Sequence, residues 1–173
     1  DPASGLDAVS DLFIDAGRIS KVGQNLKASA DQIIDATGLV VSPGFIDLHV
    51  HLREPGREDE ETIESGSQTA AAGGFTTICC MPNTNPINDS PTVTKYICEE
   101  AQRRAVTRVF PIGAISMGSA GERLAEIGEM VSAGAVGISD EHKQKLLRIA
   151  DELLQREVLD AVKHGLGPPV PFE

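Results

Sequence analysis

An α/β fold built on a parallel sheet is what this sequence predicts, and three observations point to it. From Phe45 onward strand signals and helix signals alternate, as they do along βα units. The apolar run that begins at Leu39 ends on Asp47-Leu-His-Val-His51, so polar groups gather where a barrel strand would present them. Before that run the chain shows short apolar stretches bounded by Gly and Asp, the pattern of hairpins.

Residues 1–43 read as strands of a small sheet: Leu12-Phe-Ile14, then Gly17 to Gly23, then Gln32 to Gly38. Phe45 to His51 is the first strand of the parallel sheet and Glu61 to Ala72 its helix. Glu58, Asp59, Glu60 and Glu61 collect at that helix's start, where the partial positive charge of the N-terminus favours anions. Phe75 to Met81 is the next strand, followed by a helix over Ser90 to Ala105 with Ser90 as cap and Pro91 at its first position. Arg108 to Ile112, a helix over Glu122 to Ala133, and a strand over Ala135 to Ser139 complete about four βα units within residues 44–140, half of a (β/α)8 barrel. From Lys143 to His164, Leu146, Leu147, Ala150, Leu153, Leu154, Val158 and Val162 fall at helical spacings, which predicts an amphipathic helix. Gly165 and Gly167 end it, and Pro168-Pro-Val-Pro171 makes an extended tail. There is no internal repeat.

Composition narrows the class of protein. A net charge of -11 argues against a nucleic-acid surface, which needs basic patches to neutralise phosphates. No apolar segment approaches the roughly 20 residues that span a bilayer, and the acidic start does not read as a signal peptide. Three cysteines, two of them adjacent at Cys79 and Cys80, read as small buried hydrophobes of a reducing compartment and not as a disulfide framework. The expectation is a cytoplasmic protein without membrane or nucleic-acid partners.

The chemistry concentrates at the end of the first barrel strand. Alternation along a strand puts Asp47, His49 and His51 on one face and Ile46, Leu48 and Val50 on the other. Burying two imidazoles beside a carboxylate is costly unless something binds them, and neutral imidazole is a common ligand of zinc and similar cations; the alternative is an ordinary polar patch on an exposed strand. Asp47 is either a partner that orients an imidazole or a capping carboxylate.

Pro43-Gly-Phe-Ile-Asp-Leu-His-Val-His-Leu-Arg-Glu-Pro-Gly56 closely resembles the metal-binding first strand of the cyclic amidohydrolases, and of the dihydroorotase family in particular. Gly73-Gly-Phe-Thr-Thr-Ile-Cys-Cys-Met-Pro-Asn-Thr-Asn-Pro86 is similar to that family's second strand and following loop. The resemblance implies a TIM-type barrel preceded by part of a β-sandwich, in which His49 and His51 bind the more buried of two zinc ions. It implies a third ligand at Asp140, after the Gly-rich strand Gly134-Ala-Val-Gly-Ile-Ser. Many relatives have a carboxylated lysine there, and the aspartate subset continues Asp-Gly where this chain has Glu141-His142. The competing reading of Asp140 is a helix cap. Arg53 and Asn83 are the substrate-binding candidates, since guanidinium and carboxamide donors match the carboxylate of dihydroorotate or carbamoyl aspartate. The alternative for Arg53 is a surface salt bridge to the nearby acidic run, since Glu54 and Glu58 are close.

After Asp140 the family resemblance ends. The further metal histidines and the catalytic aspartate of the family are expected in a part of the barrel beyond this sequence, and His142 and His164 sit in unrelated contexts. The opening Asp1-Pro2 likewise reads as the middle of a sheet whose first strand is missing. Three functions follow from the resemblance: a dihydroorotase represented by the N-terminal half of its barrel; a noncatalytic dihydroorotase-like assembly subunit; or a related cyclic amidohydrolase such as an allantoinase or a hydantoinase/dihydropyrimidinase. Arg53 and Asn83 favour dihydroorotase over the third. The implied partners are the small-molecule substrate, further copies of the chain in a homo-oligomer, and aspartate carbamoyltransferase.

Overall fold

The computed structural model describes residues 5–139. The expected helix over 143–164, the Pro-rich tail, and Asp140, His142 and His164 lie outside the described residues. The chain divides between Pro43 and Gly44 into two compact units, each described by itself.

In the first unit, β1 (Asp11–Asp15) pairs antiparallel with β2 (Arg18–Gly23), with a register shift between Phe13 and Ile14. Ala16 (φ 49) and Gly17 (φ 74) turn the chain. Positive φ at both central positions makes a turn whose twist matches that of the two strands. The third strand expected over Gln32 to Gly38 is not formed. Ile33 is 85% and Ile34 77% exposed, while Asp35 Oδ1 accepts the Thr37 backbone N–H at 2.9 Å and its hydroxyl at 2.6 Å. A strand is fixed by its ladder, and among the described residues none pairs with this segment, so the local Asp35 turn prevails.

The second unit is a half-barrel. Its strands β3 (Phe45–Val50), β4 (Phe75–Cys80), β5 (Arg108–Gly113) and β6 (Gly137–Ile138) lie in sequence order and are all parallel. Between them run α1 (Ile63–Ala72), α2 (Pro91–Arg104) and α3 (Ile127–Ala133). Helix α1 starts at its own capping box: Thr62 Oγ1 accepts the Ser65 N–H at 3.0 Å, and Ser65 Oγ accepts the Thr62 N–H at 3.1 Å. Ser90 occupies the cap position of α2 without a side-chain cap bond, and Pro91 stands first in the helix.

Helix α3 is shorter than the expected Glu122 to Ala133. The Met117 N–H donates to Arg123 O at 2.8 Å and the Ala125 N–H to Ile115 O at 2.9 Å, so the residues before Ile127 pair with the end of the preceding segment instead of coiling. A single 3-10 turn, Met117–Ser119, lies within that excursion. At the other end of α3, Gly134 has φ +118, and a Cβ there would meet Cys98 Sγ at 2.8 Å, so only glycine lets the helix end this close to α2.

The core lies between sheet and helices. Ile63, Ile78, Ile97 and Val109 fill it, and Ile63 and Ile97 are 0% exposed. Asn88 is also fully buried and fully engaged: its Nδ2 donates to Ile112 O at 2.9 Å and its Oδ1 accepts the Thr94 hydroxyl at 2.7 Å. The amide thereby ties the loop after β4 to the end of β5. Cys79 and Cys80 are unbonded to one another and buried, as the cysteine pattern predicts.

Burial pushes the Cys80 thiol up to about 12. In the unfolded chain the thiol ionises near its ordinary value of 9.0, so its contribution to stability is complete below that pH and is lost as pH rises toward the folded value. Two outcomes are expected: a folding midpoint that falls steadily above about pH 9, and a native Cys80 that resists iodoacetamide at about pH 8 but reacts in denaturant. Peptide mass mapping of alkylated native and denatured protein checks the second, and rapid native labelling at Cys80 would contradict it.

Candidate metal and substrate site

The end of β3 is not a regular strand. Asp47 pairs with Ile78 and Val50 with Cys80, so three steps along β3 face two along β4. One extra residue is accommodated as a bulge, which bends a strand and re-aims its side chains. Asp47 Oδ1 accepts the His49 backbone N–H at 3.0 Å, serving a donor that the broken ladder leaves over. Of the two sequence readings of Asp47, the structure therefore gives the capping one.

Beyond the bulge the two imidazoles converge. The His49 and His51 rings have centroids 5.2 Å apart and meet edge to face. His49 is exposed and His51 half-buried. Asn83 joins them from the loop after β4, with its Oδ1 2.8 Å from His51 Nδ1. Amide oxygens only accept, so this contact suits the imidazole tautomer with its proton on Nδ1.

Arg53 has φ +60, a left-handed conformation that is uncommon for a non-glycine residue. Its Nε lies 3.4 Å from Glu60 Oε2, so the salt bridge to the acidic run forms, with Glu60 as the partner. Glu60 also pairs with Arg57 and is 40% exposed; a surface pair of this kind contributes little and competes weakly with an anionic ligand.

Glu54 was legible only as a surface neighbour of Arg53, yet it is 3% exposed. Its Oε2 accepts the Ile63 N–H at 2.8 Å, at the first position of α1. Its Oε1 accepts from Tyr96 OH at 3.3 Å and pairs with the Arg104 guanidinium at the end of α2. Desolvation, then the Glu54 and Glu100 charges, push the Tyr96 phenol upward. A Glu-Pro-Gly directly after the arginine is the only signal in the sequence, and the helix partners cannot be found from it.

The loops after β3 and β4 are locked together. The Asn85 N–H donates to Pro55 O at 2.8 Å and the Met81 N–H to Val50 O at 2.8 Å. Gly56 has φ +91, and a Cβ on it would lie 1.8 Å from Asn85 O, which no side chain can do. Its N–H donates to Glu58 Oε1 at 2.7 Å, and this bond holds the Glu58 carboxyl below its ordinary range.

The structure thus brings His49, His51 and Asn83 together and sets Arg53 two residues away on the same loop. Asp140 lies outside the described residues. Two neighbouring imidazole nitrogens suit zinc, but among the described residues no group of three His, Cys, Asp or Glu could hold a metal. The donors present fit part of a zinc site. A shallow depression lined by Phe75, Thr76, Thr107 and Arg108 lies at the opposite, N-terminal ends of β4 and β5 and has no part in this cluster.

The dihydro-orotase-like family model matches residues 38–155. The chain belongs to that family. The match runs past Asp140, which corrects the expectation that the family resemblance ends there. A dihydroorotase of Solibacter usitatus is 56% identical over 168 residues, which are 95% of this chain and 39% of that protein. One of Geotalea daltonii is 48% identical over 168 residues, covering 96% of this chain and 38% of its own length. Among solved structures, the L-hydantoinase (dihydropyrimidinase) from Arthrobacter aurescens superposes with a TM-score of 0.65 at 28% identity, over 75% of this chain and 28% of that one. The chain spans under two fifths of the length of these dihydroorotase relatives.

Within this dihydro-orotase-like half-barrel, Glu54→Ala removes a buried acceptor and leaves the Ile63 N–H without it. The loss of one hydrogen bond to a charged group costs about 1.5–3 kcal/mol, and chemical denaturation of the two chains measures it. A midpoint unchanged by the substitution would show that Glu54 does not hold loop and helices together.

Proposed function

We propose that this chain supplies the N-terminal half of a zinc-dependent dihydroorotase, which reversibly hydrolyses dihydroorotate to N-carbamoyl-L-aspartate in pyrimidine biosynthesis. The observation behind the reading is the approach of the His49 and His51 rings to 5.2 Å beside Asn83, at the strand ends where such barrels place their chemistry. The identity to dihydroorotases, 56% and 48%, is higher than the 28% to the hydantoinase, and Arg53 suits a substrate with a carboxylate.

In this proposal His49 and His51 are metal ligands and Asp140 a third. Zinc, when bound, supplies a Lewis acid that polarises the ring carbonyl and acidifies water. Arg53 binds the substrate carboxylate through its planar fork, and the Asn83 amide donates to the same group. Together they fix the ring so that its amide carbon meets the attacking oxygen. The bond from that carbon to the ring nitrogen breaks and the nitrogen takes up a proton, which relatives deliver from an aspartate of the later barrel strands. No described residue is assigned that step. A homo-oligomer, aspartate carbamoyltransferase as partner and a cytoplasmic location belong to the same proposal. No helix among the described residues is long and apolar enough to cross a membrane.

Two outcomes test it. The chain as given, purified and supplied with zinc, is expected to show no turnover in carbamoyl aspartate cyclisation, because general acid/base catalysis alone contributes about 10² to 10⁴ in rate; chelator-sensitive turnover by the isolated chain would place a complete active site within it. In a protein completed by the remaining half, Arg53→Met keeps the stem and deletes the fork, and should weaken substrate binding by roughly 2–5 kcal/mol. An unchanged KM for dihydroorotate would remove Arg53 from the substrate site, and turnover absent even from the completed wild-type protein would favour the noncatalytic assembly role.

A further inference from the structure

We infer that Asn83 is a positioning residue for the metal site, acting through His51, in addition to the donor its sequence motif suggests. The inference rests on the proposed role of His51 as a zinc ligand, and it reassigns half of the Asn83 amide.

A neutral imidazole bears one proton, and the nitrogen without it is the one that binds a metal. Asn83 Oδ1 lies 2.8 Å from His51 Nδ1. An amide oxygen there stabilises the Nδ1–H tautomer, whose lone pair is on Nε2. An amide oxygen is also a partner that holds a ligating imidazole at a fixed ring angle, the service that carboxylates and carbonyls perform at many zinc sites. His51 lies one residue past the last ladder pair, beyond the bulge, so strand pairing does not set its ring.

The amide is itself held. Thr84, its neighbour, is 7% exposed and donates its hydroxyl to Pro86 O at 2.7 Å, and the Thr84 N–H donates to Pro82 O at 2.8 Å. Asn85 is bonded to Pro55 and packed against Gly56. The loop around Asn83 is therefore held by its own hydrogen bonds, and through Asn85 it is fixed against the segment that follows His51. With Oδ1 committed to the imidazole, Nδ2 provides the donors for a substrate carboxylate. One amide then links the metal ligand to the substrate clamp.

The test uses the 173-residue chain and two readouts, neither of them catalytic. Long-range nitrogen–proton NMR of the histidine rings, with His51 assigned by its loss in His51→Ala, reports the tautomer without metal. Competition with a chromophoric chelator reports zinc affinity. The wild-type chain should show His51 protonated on Nδ1. Asn83→Leu should lose that preference and bind zinc roughly 10–100-fold more weakly, while Asn83→Asp, which restores an acceptor, should keep the tautomer and bind at least as tightly. Circular dichroism checks folding, and if Asn83→Leu does not fold, Asn83→Ser deletes the amide with less bulk. A wild-type His51 protonated on Nε2, or a leucine variant unchanged in tautomer and affinity, overturns the inference. Zinc affinity unaffected by His49→Ala and His51→Ala would instead sink the metal reading, and the tautomer result would still decide whether Asn83 sets the His51 ring.

Discussion

Glu54 lies on the loop after β3, and its carboxylate bonds to the start of α1 and, at two places, to α2. The Ile63 N–H, the Tyr96 hydroxyl and the Arg104 guanidinium converge on it. A carboxylate this deeply buried is tolerable only when its oxygens are fully used, so the three elements cannot drift apart without exposing an unsatisfied charge. Arg53 precedes it in a left-handed conformation and the Pro55-Gly56 segment follows, locked to the next loop. The placement of the candidate site thus depends on a residue that touches none of its chemistry.

Much of the barrel half was readable because strands and helices announce themselves by period. Helices α1 and α2 and strands β4 and β5 fall within about two residues of their expected bounds, since apolar spacing, the acidic cluster before α1 and the proline that opens α2 are local signals. What failed was non-local. The segment 32–38 has strand composition without a ladder, and residues 122–126 have helical composition but bond to Ile115 and Met117. Period cannot report which backbone group a residue will meet across space.

At the site, the same distinction separates what was readable from what was not. The two histidines are neighbours, as alternation predicts, but the strand reaches that arrangement through a bulge after Asp47, and strict alternation describes it only approximately. The role of Asp47 needed coordinates, because a carboxylate two residues before a histidine can reach either the ring or the backbone. The bond from His51 to Asn83 joins residues 32 apart in sequence, and the separate motifs that contain them give no hint that one amide serves the other's imidazole. Glu54 was missed for the simplest reason: a glutamate between an arginine and a proline, just ahead of an acidic run, reads as solvated.

The close seating of Gly56 on the Asn85 carbonyl bears on how such a site fluctuates. Loops that bind ligands usually belong to the least protected part of a protein, opening locally while the core stays folded. Here the backbone amides of Met81 and Asn85 are donated across from one loop to its neighbour, and Glu54 anchors that pair of loops to both helices. The amide protons of these loops would then exchange with solvent on the timescale of the core. Such a site has little private breathing to lose when a ligand arrives, so binding would cost little conformational entropy, and affinity would be set chiefly by the contacts themselves.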